Sequence, residues 1–174
     1  MSGKLYIVAT PIGNLGDITI RAVDILKSVD LVLAEDTRHS KKLFAHYEIG
    51  TSLRAFHEHN EKVKTEAIIN EINAGKSIAM ISDAGTPLIS DPGYYLVTKA
   101  KKVNIEVVPI PGPSALITAL SSSGLASNSF TFFGFLPSKP VARLKLLQTK
   151  INLDETIIFY ESPKRILSTL EDML

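Results

Sequence analysis

The 174-residue sequence contains no cysteine. Disulfides, thiolate zinc sites and cysteine nucleophiles are therefore excluded, and a reducing compartment, the cytoplasm, is expected. Long apolar runs are also missing. None approaches the roughly 20 residues needed to cross a bilayer, so no membrane partner is expected. The run Leu5–Ala9 is too short for the apolar part of a signal peptide. Neither sign of charge dominates: 19 basic residues face 18 acidic ones, for a formal net charge of +1. No global pull on nucleic acid follows, and RNA binding would need a local basic patch. Three catalytic fingerprints are absent too: G-x-G-x-x-G, G-x-x-x-x-G-K-[ST] and G-x-S-x-G. His57 and His59 flank Glu58, but with no third ligand nearby they read as a solvent-facing or hydrogen-bonded pair, and no metal is expected.

What is present is a regular alternation. Short apolar runs at Leu5–Ala9, Leu31–Ala34, Leu53–Phe56, Ser77–Ile81 and Ile105–Val108 are separated by segments of helical period. Continuous apolar strands alternating with helices predict an α/β fold: a five-stranded, mainly parallel sheet with helices on both faces. The helix Val63–Ile72 is closed by Gly75, and Asp91-Pro92 reads as a helix start. The boundaries expected are 1–112 for this domain and 113–174 for the beginning of a second, smaller α/β domain. Two strands and two helices make a poor core, so the second unit reads as incomplete.

Ligands of open parallel sheets bind beyond the carboxyl ends of the strands. Those ends carry TPIGNLGD (Thr10–Asp17), EDTR (Glu35–Arg38), HEHNE (His57–Glu61), SDAGTPLISDPG (Ser82–Gly93) and PIPGPSA (Pro109–Ala115). The connections at the other edge are plainer. Asp83 follows an apolar strand directly, which puts its carboxylate at the crevice mouth. Gly85 lets backbone approach a ligand closely, and Pro87 fixes the path. A ligand rich in hydroxyl and amino groups suits that turn, and S-adenosylmethionine is one. A turn or cap aspartate is the plain alternative. For Glu35 and Asp36 the plain alternative is capping the next helix or pairing with Arg38. The other reading of Arg38 is an anchor for an RNA phosphate.

VATPIGNLGDIT, EDTR, SDAGTPLISDPG and PGPSA together resemble the tetrapyrrole-methylase-like S-adenosylmethionine-dependent methyltransferases. FHEHNE, GFLPSK and FYESPKR point within that group to a branch acting on ribosomal RNA. The resemblance implies two α/β domains with the cofactor held in the cleft between them, usually in a homodimer. It implies methylation of a cytidine ribose 2′-hydroxyl in the decoding region of 16S ribosomal RNA, in the small ribosomal subunit. Carried over, Pro11 and Gly13 approach the cofactor near the transfer point. Asp83, Ala84, Pro87 and Ile89 line it, Ser114 and Ala115 touch its other side, and Phe159 and Tyr160 close the cleft. Asn14, Asp36, Arg38 and His57 are candidates to position or deprotonate the hydroxyl. RNA-binding patches are sought at Arg38, Lys41 and Lys42 and at Lys139, Arg143 and Lys145, against the alternative of solvated helix faces. The family continues beyond position 174. Two other readings remain open: a methylase of a small tetrapyrrole, and a non-catalytic nucleotide-binding or ribosome-assembly module.

Overall fold

A computed structural model describes residues 3–174. The chain divides into two compact units, the second running from Leu116 to Leu174. In the first, five parallel strands alternate with four helices. They are β1 (Leu5–Val8), α1 (Ile20–Ser28), β2 (Leu31–Ala34), α2 (Thr37–His46), β3 (Leu53–Ala55), α3 (Glu61–Asn73), β4 (Ile78–Ile81), α4 (Tyr94–Lys102) and β5 (Val107–Ile110). The sheet order is β3-β2-β4-β1-β5. The chain runs leftward from β1 to β2 and β3, leaving a gap that β4 then fills between β2 and β1, and β5 pairs on the far side of β1. Right-handed crossovers place α1 and α2 on one face and α3 and α4 on the opposite face.

The side chains follow that geometry with a period of two. Val8, Val32, Ala34, Ala79 and Ile81 pack with Ala22 and Leu26 of α1 and Leu43 and Phe44 of α2. Leu5, Leu31, Leu33, Ile78 and Met80 pack with Ile68, Ile69 and Ile72 of α3 and Leu96 and Ala100 of α4. Strands buried on both faces need the continuous apolar runs seen in the sequence. The last residues of β1, β2, β4 and β5 all face α1 and α2, which sets the direction in which the loops beyond them open.

Local chemistry fixes the ends. Helix α3 stops in a Schellman arrangement: Gly75 adopts φ +100°, its N–H donates to the Ile72 carbonyl, and Lys76 N–H donates to that of Glu71. Two of the boundaries that differ from expectation have a visible cause. Helix α4 begins at Tyr94, after Gly93 at φ +122°, and not at Asp91-Pro92. Its cap is supplied from α3: Glu61 Oε1 accepts from the N–H groups of Gly93, Tyr95 and Leu96 at 3.2, 2.8 and 3.2 Å. Strand β5 begins two residues later than expected, because Ile105 N–H still closes the α4 terminus onto Ala100. Pro109 is tolerated since β5 is an edge strand.

The second unit is opened by α5 (Ala115–Ser123). It continues with β6 (Phe130–Phe135), α6 (Pro140–Gln148), β7 (Thr156–Tyr160) and α7 (Ile166–Met173). Strands β6 and β7 pair in parallel with a register shift between Phe132 and Phe135. This small unit is held by buried polar contacts. Arg143, with its side chain 3% exposed, meets Asp172 through Nε at 2.5 Å. It therefore joins α6 to α7 and does not belong to a basic surface patch. Glu161, equally hidden, accepts from Thr169 Oγ1 at 2.7 Å and pairs with Arg165 at 2.6 Å.

Removing one partner of a buried pair strands the other charge, at about 3–5 kcal/mol. Asp172→Ala is expected to cost that much in urea denaturation of the second unit's transition. The double change Arg143→Met/Asp172→Leu is expected to recover most of it.

Candidate functional site

The turn after β4 is bound tightly to the loop after β1. Thr10 and Gly85 exchange backbone hydrogen bonds at 2.9 and 3.0 Å, an antiparallel bridge beyond two parallel strands. Thr10 Oγ1 also donates to the Ser82 carbonyl at 3.1 Å. Gly85 has φ +84°, and a Cβ there would lie 3.5 Å from Ile12 Cγ2 and 3.8 Å from the Pro113 carbonyl oxygen. The backbone conformation selects glycine, and three loops converge on this residue. Thr86 Oγ1 donates to the Pro113 carbonyl at 3.1 Å, tying the turn to the loop after β5 as well. Further along, Leu88 and Ser90 adopt φ +73° and +67°. Two non-glycine residues in left-handed backbone within one turn cost of order 1–3 kcal/mol each, which the surrounding contacts must offset.

The start of α2 joins the same assembly. Asp36 Oδ1 accepts from Arg38 N–H at 2.8 Å, capping the helix, while the Arg38 guanidinium donates to the same carboxylate at 3.1 and 2.7 Å. Those bonds hold the Asp36 carboxyl well below the usual carboxylate range. Asp36 N–H in turn donates to Asp83 Oδ1 at 3.0 Å. At the far end of α2, Tyr47 donates its phenol hydrogen to the Leu15 carbonyl at 2.7 Å. Asn14 caps the short 3-10 turn Leu15–Asp17 through Oδ1, which accepts from Gly16 N–H at 3.0 Å. Its amide NH2 group makes no hydrogen bond among the described residues.

These braces enclose a cavity of about 270 Å³ on the α1/α2 side of the strand ends. Pro11, Gly13 and Asn14 line one wall, and Ser82 and Asp83 the floor. His39 and Lys42 line the wall formed by α2. Four sequence candidates, Pro11, Gly13, Asn14 and Asp83, thus share one space. His39 was not anticipated; it lies one helical turn before Lys42 and Leu43, and that spacing after β2 is its only sequence signal.

The other candidates lie elsewhere. Asp36 and Arg38 are spent on each other, with the Arg38 side chain 88% exposed. His57 sits at the β3–α3 corner. Asn60 Oδ1 accepts from His57 N–H at 3.1 Å, which turns its amide NH2 towards His57 Nε2 at 2.8 Å. Nε2 is then the acceptor and Nδ1 carries the proton, buried and without a partner among the described residues. His59 meets His57 edge to face at 5.9 Å. Ala84, Pro87 and Ile89 belong to the β4–α4 turn, with Ile89 exposed, and Ser114 and Ala115 follow the Pro113 carbonyl held by Thr86. In the second unit, Tyr160 packs edgewise on Phe132 and Phe135 at 4.7 and 5.7 Å. Its hydroxyl accepts from Leu116 N–H at 3.2 Å. Phe159 stacks on Phe133 at 5.7 Å.

A second cavity, of about 370 Å³, opens on the α3/α4 side and is lined by Glu35, Glu58, Glu61 and Asp91. Burial, then the nearby carboxylates of Asp83 and Asp91, push the Glu35 carboxyl up. Burial also raises Asp91, against an opposing hydrogen bond from Ser82.

The tetrapyrrole (corrin/porphyrin) methylase family model matches residues 4–174. The chain belongs to the tetrapyrrole methylases. Among curated members, it is 58% identical over 98% of its length to the ribosomal RNA small subunit methyltransferase I of Vibrio cholerae. It is 54% identical to the protein of that name from Synechocystis and 52% to that from Escherichia coli O157:H7. The alignments cover 59%, 61% and 60% of those proteins, so the chain spans about three fifths of their length. A solved uroporphyrin-III-C-methyltransferase from Thermus thermophilus superposes on 79% of this chain and 65% of its own, with TM-score 0.60 and 22% identity. That likeness supports the methylase fold.

Glu35 is protonated more readily in the folded chain than in the unfolded one. Its effect is absent below the unfolded carboxylate pKa and grows as destabilisation while pH rises through the folded value. Glu35→Gln is therefore expected to raise the melting temperature at pH 7–8 and to leave it unchanged near pH 3.5, measured by thermal scans across that range.

Proposed function

We propose that this chain carries the S-adenosylmethionine-binding part of a cytoplasmic, homodimeric methyltransferase that methylates a cytidine ribose 2′-hydroxyl in the decoding region of 16S ribosomal RNA. The family membership supports methyl transfer. The names of relatives more than 50% identical along nearly the whole chain support ribosomal RNA over a tetrapyrrole as the acceptor. The observation that carries the reading is the convergence of the β1 and β4 loops on one cavity that holds both Asn14 and Asp83.

The donor set fits the cofactor. Asp83 places an anion beside the turn, and its Oδ2 takes no hydrogen bond among the described residues. It suits the ribose diol or the positive charge of S-adenosylmethionine. Ala84, Pro87 and Ile89 on the turn, with Ser114 and Ala115 beyond β5, supply backbone groups and apolar contact. When bound, the cofactor supplies an electrophilic methyl group already activated by its sulfonium. What remains for the protein is alignment. Fixing the reacting groups in line is worth roughly 7–11 kcal/mol, whereas a general base adds about 10²–10⁴-fold. The loops are braced by Thr10, Tyr47 and Asp36, so little ordering is left to do on binding. The free amide of Asn14 holds a hydroxyl or carbonyl oxygen in the cavity. Asp36 and Arg38 set the entry of α2, and His57 rigidifies the β3–α3 corner.

Asp83→Ala is expected to weaken S-adenosylmethionine binding roughly 10–100-fold, the equivalent of a charged hydrogen bond of 1.5–3 kcal/mol. Asp83→Asn, which keeps the bond from Asp36 N–H but loses the charge, is expected to fall between. Isothermal calorimetry checks both. Methyl transfer from labelled cofactor to small subunits lacking the modification, compared with transfer to a porphyrinoid, tests the acceptor; transfer to neither substrate removes the enzymatic reading.

A further inference from the structure

The α1/α2-side cavity carries charge of opposite sign at its two ends. Asp83 lies at the start of α2, hydrogen-bonded to the N–H of Asp36. Lys42 lines the same space six residues further along, about 9 Å of helix at 1.5 Å per residue. His39 stands between them on the same face, and the wall opposite presents the unengaged Asn14 amide. The Lys42 ammonium makes no ion pair among the described residues. By contrast, Arg38 is held by Asp36, Lys99 by Glu66 and Lys76 by Glu71. Side chains on a helix lean towards its N-terminus, which for Lys42 is the direction of His39.

We propose that this cavity is the subsite for one ribose-phosphate unit of the RNA acceptor. The sugar hydroxyls sit at the Asn14 end, and the adjoining phosphodiester sits against Lys42 and His39. This deepens the reading above and rests on it. One ammonium and one imidazole match a single phosphate. They do not match the many carboxylates of a tetrapyrrole. Lys42 is a positioning residue: it grips the backbone next to the reacting sugar and leaves cofactor binding alone.

The test compares Lys42→Gln and His39→Gln with Lys101→Gln, which removes the same charge at the opposite end of the sheet. Binding of small ribosomal subunits, KM and kcat for methyl transfer, and S-adenosylmethionine affinity are measured between 50 and 300 mM salt. Loss of one phosphate contact lowers the slope of log K against log salt by about 1. Lys42→Gln is expected to show that change, with KM for the subunit raised about tenfold, kcat little altered and cofactor affinity unchanged. If Lys42→Gln behaves like Lys101→Gln while the unsubstituted protein transfers methyl groups to RNA, the subsite is refuted and the function stands. If the unsubstituted protein binds subunits with this Lys42 dependence yet transfers no methyl group, the function is refuted and the subsite stands. If it binds no RNA, both fall.

Discussion

The antiparallel bridge between Thr10 and Gly85 is the contact on which the site depends. Adjacent parallel strands diverge once they leave the sheet, and nothing in the ladder itself keeps their loops together. Here the two backbones rejoin immediately, with the Thr10 hydroxyl adding a bond to Ser82. The β4 turn is thereby drawn over the end of β1, where Gly85 also meets the loop after β5. Every other brace extends this one: Asp36 onto Asp83, Tyr47 onto Leu15, Thr86 onto Pro113. A loop fixed at several points loses little entropy when a ligand arrives, which is how a scaffold turns folding free energy into affinity.

The two-faced sheet explains why two cavities of opposite character coexist. Side chains alternate along β2 and β4, so neighbours in sequence leave the sheet in opposite directions. Ile81 and Asp83 face the helices α1 and α2. Glu35, next to Ala34, faces α3 and α4 and joins Glu58, Glu61 and Asp91. Part of that acidic group is accounted for by folding, since Glu61 is the remote cap of α4. The same caution applies in the second unit, where Glu161 and Arg165 of FYESPKR are consumed in bracing α7. Long motifs there mark architecture as much as chemistry.

The strand positions, the packing of helices on both faces of the sheet and the residues around Asp83 were legible because each follows from periodicity or from the position of a loop at a strand's carboxyl end. What escaped the sequence depended on partners far along the chain. The α4 cap comes from a residue more than thirty positions earlier, so Asp91-Pro92 looked like the start. Arg143 looked like part of a surface cluster until Asp172 was brought beside it. His39 carries no motif; only the fold turns its side of α2 towards Asn14. Asp36, Arg38 and His57 were conspicuous as residue types, yet short-range bonds occupy them.

The placement of β1 has a consequence for synthesis. Its ladder partners are β4 and β5, never β2. On the ribosome β1 must therefore wait, unpaired and apolar, until β4 follows some seventy residues later. At 5–20 residues per second that wait is roughly 4–14 s, an interval in which a nascent chain of this kind is a natural client for a ribosome-associated chaperone.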